Sequence, residues 1–256
     1  MANTQGRFVW YELMTTDMEA AKRFYGKVVG WGTQDMPQPG MQYTLFAVGE
    51  TPAAGLMNLP DDAKKMGAPP SWIGYGVADV DASAKKAGRL GGSVHVPSRD
   101  IPDIGRFAVI ADPQGATISL FRGTNPKPPK PAATGTPGHA GWHELLAADR
   151  EKAFTFYSEL FGRQKAHAID MGAMGKYQIF SAGGQPIGGI FNKPATVPAP
   201  FWNYYFNVAT IEPAAERVKA AGGKIINGPM EVPGGNWIAQ GTDPQGAMFS
   251  LVGKRN

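Results

Sequence analysis

Two glutamates carry the chemistry that this chain can offer: Glu12 in Trp10-Tyr11-Glu12-Leu13-Met14, and Glu144 in Trp142-His143-Glu144-Leu145-Leu146. A carboxylate set among large apolar residues must be paired or take up a proton. Such surroundings move it towards the range of a general base, so Glu12 and Glu144 are the catalytic candidates. The alternative is a structural bond to an indole N–H, a backbone amide or a neighbouring arginine. Arg106 is a partner of that kind in the first half, and Trp237 stands at the corresponding place in the second.

Around the two acids the same residue types recur. Trp10 is matched by Trp142, Tyr43 and Phe46 by Tyr177 and Phe180, Asn58 by Asn192, Trp72 with Tyr75 by Trp202 with Tyr205, and Ser119 by Ser250. Flat apolar walls with a few polar groups are the usual make-up of a small-molecule pocket, and with Arg106 these residues form the expected ligand-binding set. Lys176 and Asn207 add polar groups to the second half. Packing is the competing explanation, and for the phenylalanines it is the expected one.

The elements that position these groups are spelled twice. Residues 8–14 and 141–147 alternate as strands, so Trp10, Glu12 and Met14 share one face while Val9, Tyr11 and Leu13 share the other. Asp17 and Asp149 stand as N-caps, Phe24-Tyr25 and Phe156-Tyr157 lie on the apolar side of a helix, and Gly30 and Gly162 stop it. Strands follow at 42–48 and 53–59, with room for one more at 32–36. After a loop at 60–70 the order begins again, with a strand at 72–78, a helix from Asp79 to Gly91-Gly92, and strands closed by Asp112-Pro113-Gln114-Gly115. The second half repeats the plan through Asp243-Pro244-Gln245-Gly246. Four βαβββ modules result, an α+β class, with halves at 1–123 and 139–256. Between them the prolines 126, 128, 129, 131 and 137 predict an extended linker over 124–138.

The chain has 256 residues, 43% hydrophobic and 18% charged, which suits two globular domains. It contains no cysteine, so disulfides and thiolate chemistry are excluded. Scattered basic residues with a net charge of +4 argue against a nucleic-acid partner. No apolar run is long enough to cross a membrane, and residues 1–5 lack the pattern of a signal peptide, which predicts a cytoplasmic protein.

The paired Phe-Tyr helices together with the two Asp-Pro-Gln-Gly-Ala turns resemble the glyoxalase, bleomycin-resistance and extradiol dioxygenase superfamily, also called vicinal oxygen chelate, over nearly the whole chain. The resemblance implies glyoxalase-like domains with curved mixed sheets around a cavity, and in many members a divalent metal held there. The ligand positions of metal-dependent members fall here on Trp10 and Trp142, on Ser119 and Ser250, near Trp72, and near Trp202 or Asn203. Tryptophan cannot ligate and serine is a poor ligand, so neither metal nor cofactor is expected. The histidines do not replace them: His95 falls on an outer strand, His139 in the linker, His167 in a strand or turn, and His143 opposite Trp142. The sequence therefore predicts a binder of a small planar or carbonyl-bearing molecule, or a Glu-based enzyme, as a monomer or homodimer. A metal-dependent lyase, isomerase or dioxygenase, and an interaction module with closed pockets, are the alternatives.

Overall fold

A computed structural model describes residues 4–38, 41–125 and 131–255. Pro126, Pro128 and Pro129 of the expected linker lie outside the described residues. Module one runs β1 (Phe8–Thr15), α1 (Met18–Val28), β2 (Gly32–Gln38), β3 (Met41–Val48), β4 (Thr51–Asn58) and the short α2 (Asp61–Lys65). Module two is β5 (Ser71–Val77), α3 (Val80–Arg89), β6 (Ser93–Ile101), β7 (Gly105–Ala111) and β8 (Thr117–Gly123). Module three is β9 (Ala140–Ala147), α4 (Arg150–Phe161), β10 (Gln164–Asp170), β11 (Lys176–Ala182) and β12 (Gln185–Asn192). Module four is β13 (Phe201–Thr210), α5 (Ile211–Ala220), β14 (Lys224–Val232), β15 (Asn236–Thr242) and β16 (Met248–Lys254).

Local chemistry accounts for the helices. The Asp17 carboxylate accepts the Ala20 amide at 2.9 Å and Asp149 accepts those of Glu151 and Lys152, which satisfies N–H groups that the first turn leaves open. Met18, Ala21, Phe24, Tyr25 and Val28 fall on one buried stripe of α1. The larger of these side chains contribute about 1.5–3 kcal/mol each by leaving water. Gly162 ends α4 with φ of 72°, a conformation that costs an L side chain energy. In the stretch 60–70, expected as a loop, α2 forms because Asp61 and Asp62 sit in its first turn and Lys64 and Lys65 in its last, as the helix dipole favours.

The strands make two eight-stranded mixed sheets, ordered β2-β3-β4-β1-β5-β8-β7-β6 and β10-β11-β12-β9-β13-β16-β15-β14. Parallel pairs such as β1 with β4 and β5 with β8 join otherwise antiparallel hairpins. The class is α+β, with two glyoxalase-like domains in tandem.

Compactness follows a different division from the sheets. One unit comprises Met1–Val9, Gly74–Pro131 and His143–Trp202; the other comprises Trp10–Ile73, Ala132–Trp142 and Asn203–Asn256. In the first unit, modules two and three share a core in which Tyr157 donates to the Asp112 carboxylate at 3.2 Å and accepts the Trp202 indole N–H at 2.9 Å. Gln114 and Asp149 hold each other through two bonds of 2.9 and 2.7 Å. In the second unit, modules one and four do the same: Tyr25 donates to Asp243 at 3.2 Å and accepts from Trp72 at 2.9 Å. Arg217 also caps the end of α1 at the Val28 carbonyl, 3.0 Å away. His139 is held there too, because Asn207 bonds its carbonyl through both main chain and side chain.

Each turn aspartate thus has two tasks. Asp112 accepts the Gln114 and Ala116 amides of its own turn, and Asp243 those of Gln245 and Ala247. Burial raises both carboxyls above the usual range, and these hydrogen bonds pull them back.

Candidate functional site

In the unit formed by modules one and four, β1 presents Trp10 and Glu12 next to Tyr43 of β3. The Trp10 indole N–H donates to the Tyr43 oxygen at 3.2 Å, and the Tyr43 hydroxyl in turn hydrogen-bonds Glu12. Glu12 is buried. Desolvation, reinforced by the Glu12 charge, raises the Tyr43 hydroxyl far above its ordinary value, so it stays protonated and donates. The ring lies over Gly55, which pairs with Glu12 in the parallel register; a Cβ there would stand 2.1 Å from the Tyr43 oxygen and 3.2 Å from the Trp10 nitrogen. Glycine at that position is what lets the ring approach β4.

Module three repeats the close approach of a tyrosine to a glycine in the other unit. Glu144 is buried and pairs with Gly189. A Cβ on Gly189 would meet the Tyr177 ring at 2.0–2.1 Å, and Phe191 lies 5.7 Å from that ring. Trp142 is half-buried in the second unit.

Tyr205 and Ser250, both buried, stand opposite each other on β13 and β16. Two residues outside the expected ligand-binding set adjoin them: Asn203, expected only as a metal-ligand position, and Gln240, not expected at all. Asn203 donates to the Ser250 hydroxyl at 2.7 Å, and Gln240 donates to the Tyr205 oxygen at 2.6 Å while accepting from Asn227 at 3.0 Å. The counterpart strands of module two place Tyr75 opposite Ser119, whose hydroxyl turns to the Ala108 carbonyl at 3.3 Å.

Five expected ligand residues have other partners. Trp72 and Trp202 lie in the cores, their N–H groups on Tyr25 and Tyr157. Asn58 sits exposed at the end of β4 against Gln42, and Asn192 exposed at the end of β12, where it accepts the Arg150 amide at 2.7 Å. Arg106 lies at the surface with its guanidinium on Asp81 and Asp100. The partner that the structure gives Glu12 is Tyr43, not this arginine.

The positions that would hold a metal in the superfamily do not fit one. Serine is a poor ligand and tryptophan none, and among the described residues no three His, Asp or Glu side chains gather closely enough for a metal ion. His143 is buried against Phe8, with ring centres 4.2 Å apart, and its Nδ1 meets the Ile187 carbonyl. Burial, with a smaller push from Arg163, lowers the imidazole to about 3, so it stays neutral. No helix among the described residues is long and apolar enough to cross a membrane.

Paired βαβββ modules in mixed eight-stranded sheets define a class of duplicated α+β proteins. The sequence profile of the Glyoxalase/Bleomycin resistance protein/Dioxygenase superfamily matches residues 7–120 and 136–251, and the chain belongs to that superfamily. It is 34% identical over 251 residues to a "Putative glyoxylase CFP32" of Mycobacterium tuberculosis, covering 97% of this chain and 95% of that protein. It is 30% identical over 261 residues to the "Anthracycline biosynthesis protein DnrV" of Streptomyces peucetius, covering 96% and 93%. Among solved structures, a Mn(II)-bound glyoxalase from Novosphingobium aromaticivorans superposes with a TM-score of 0.62 at 18% identity, covering 100% of this chain and 83% of that one. Homoprotocatechuate 2,3-dioxygenase from Arthrobacter globiformis gives 0.68 at 14% identity, covering 99% and 81%. At such identities the structures speak for the fold alone.

Proposed function

We propose that this protein binds a small planar or carbonyl-bearing molecule without a metal, and either holds it or abstracts a proton from it through Glu12 or Glu144. The observation that supports this reading is the chain Trp10 to Tyr43 to Glu12. It sets a buried carboxylate against a tyrosine that stays protonated and an indole. Such a group can accept a ligand hydroxyl or a proton next to a carbonyl, and the ring and indole offer flat apolar surface for stacking. The names of two relatives point the same way, since a glyoxylase acts on small carbonyl compounds and an anthracycline is a flat polycyclic ketone. The reading is of a cytoplasmic monomer or homodimer with a small-molecule partner, no nucleic acid and no membrane.

Calorimetric titration with flat aromatic ketones tests it, on wild type and on Tyr43→Phe and Glu12→Gln. Loss of the Tyr43–Glu12 pair is expected to weaken binding about tenfold, the cost of one buried charge-assisted hydrogen bond. Elemental analysis of protein purified without a metal-affinity tag is the second arm. Stoichiometric metal would overturn the metal-free reading in favour of a metal-dependent lyase, isomerase or dioxygenase. A complete absence of binding would favour an interaction module.

A further inference from the structure

Four strands of the second sheet carry a polar row. Asn227 pairs with Gln240, Gln240 with Ser250, and Ser250 with Tyr205, so all four side chains share one face across β14, β15, β16 and β13. Asn203, two residues before Tyr205, joins that face. The row runs from exposed Asn227 through half-buried Gln240 to Tyr205, Ser250 and Asn203, which are 2%, 0% and 1% exposed. Hydrogen bonds link the row as far as Tyr205, and a separate bond of 2.7 Å ties Asn203 to Ser250.

The corresponding row of module two is Val96, Val109, Ser119 and Tyr75, with Ile73 in the place of Asn203. Three apolar residues of one repeat are thus amides in the other, all on one face. Burying amides costs stability unless each end finds a partner. One end does not, for the Asn203 Oδ1 is buried with no hydrogen-bond partner among the described residues. An unmet buried acceptor of this kind destabilises the fold, and Ile73 shows that the position accepts an apolar side chain.

We infer that the row of Asn203, Tyr205, Ser250, Gln240 and Asn227 is a ligand-reading surface of the second half. It takes the hydroxyl end of a neutral ligand, whose O–H donates to the Asn203 Oδ1. The inference rests on the small-molecule reading above and sharpens it. The row holds amides and hydroxyls and neither a cation nor a carboxylate, so it is built for an uncharged group. The first half has the same frame without the acceptor, so the two halves are not equivalent binding sites.

The test compares 6-hydroxy-2-acetonaphthone with 2-acetonaphthone, flat neutral ketones that differ in one hydroxyl, by calorimetric titration. Asn203→Ile and Gln240→Val put the first half's own residues into the row, with Tyr43→Phe alongside. Wild type is expected to bind both ketones. Asn203→Ile should weaken the hydroxylated one about tenfold or more and leave the other within about twofold, while the thermal midpoint holds or rises. Gln240→Val should act in the same direction to a lesser degree. If both row variants bind the hydroxylated ketone as wild type does while Tyr43→Phe weakens it, the row inference fails and the small-molecule reading stands. If Asn203→Ile weakens both ketones equally and lowers the midpoint, the amide is a structural bond to Ser250 and the inference fails. If wild type binds neither ketone, both readings fall.

Discussion

Residues 163 and 31 hold the same place in the repeat, directly after the glycine that ends a helix, yet one is arginine and the other tryptophan. Arg163 is fully buried, with its guanidinium carbon 4.7–5.3 Å from the ring centres of Phe8, Tyr157, Phe161, Phe180 and Trp202, and one nitrogen on the Gly6 carbonyl at 3.2 Å. Trp31 lies 4.9–5.9 Å from Tyr25, Phe46, Trp72 and Phe206, with its N–H on the Gly138 carbonyl at 2.7 Å. In both units the frame asks for a flat group with an N–H directed at a glycine carbonyl. A desolvated cation over aromatic faces gains about 2 kcal/mol or more, which lets arginine meet the demand where a lysine would not.

The neighbours changed with the residue. Phe161 stands where Val29 follows α1, and Gly76 where β13 has Phe206. A Cβ on Gly76 would come within 3.3 Å of the Phe161 ring, so each unit keeps one large ring at this level but takes it from a different element.

The largest expected effect comes from exchanging the two side chains. Trp31→Arg brings a charge into a core packed around an indole and should cost about 3–5 kcal/mol by urea denaturation, the scale of an uncompensated buried charge. Arg163→Trp keeps an N–H for Gly6 and adds volume, so about 1–3 kcal/mol is expected, the cost of overpacking. Equal losses would mean that the two cores are not distinguished by charge, which would break the comparison.

Next in size is a pH effect confined to one unit. His143 is neutral when folded, with its pKa near 3, whereas in the unfolded chain it takes up a proton near the ordinary 6.5. Between those values the unfolded state binds the extra proton, so stability is present above about 6.5 and falls as pH drops towards 3, by up to about 1.4 kcal/mol per pH unit. Subtracting the profile of His143→Phe isolates this contribution from the raised carboxyls Asp112 and Asp243. Arg163→Met should narrow that pH window from its acid side and so reduce the total loss, because the guanidinium charge helps to keep the imidazole neutral. Tyr11 occupies the equivalent place in module one, so that unit should add no such slope. A difference profile flat from pH 7 to 4 would sink the account.

The modules, caps and turns were legible in the sequence because each depends on a few adjacent residues: Asp17 and Asp149 as caps, the positive-φ glycines, and the Asp-Pro-Gln-Gly turns. The glutamates and Tyr43 could be named, but the bond between them depends on the Gly55 register, which no local pattern states. Trp72 and Trp202 were read as pocket walls, and their bonds to Tyr25 and Tyr157 were not legible because an aromatic pair on a strand does not reveal which ring turns inward. The Arg106 partners were not legible because Asp100 becomes its neighbour only when β6 pairs with β7. Asn203 and Gln240 did leave a signal: aligning the repeats sets them against Ile73 and Val109, and a polar residue replacing an apolar one inside a strand asks for a reason. Least legible was the exchange of turn aspartates, since Asp243 meets Tyr25 across 218 residues.

That exchange yields the smallest and sharpest comparison. Both aspartates meet their tyrosine at 3.2 Å, and both tyrosines accept an indole N–H at 2.9 Å, although one core holds a guanidinium and the other does not. Removing the hydroxyl in Tyr25→Phe or Tyr157→Phe leaves a buried carboxyl short of a donor and an indole short of an acceptor. About 1–2 kcal/mol is expected in each case, since backbone amides of the turn still serve the carboxyl. Arg163 lies over the Tyr157 ring and is not among the groups that shift Asp112, so the two losses should agree within about 0.5 kcal/mol when measured at pH 7. Agreement would mean that duplication kept the Asp-Tyr-Trp frame while the cores and polar rows beside it diverged. A Tyr157→Phe loss well above that of Tyr25→Phe would instead make the frame itself part of the divergence, with Arg163 and Asp112 acting as a coupled pair through the ring between them.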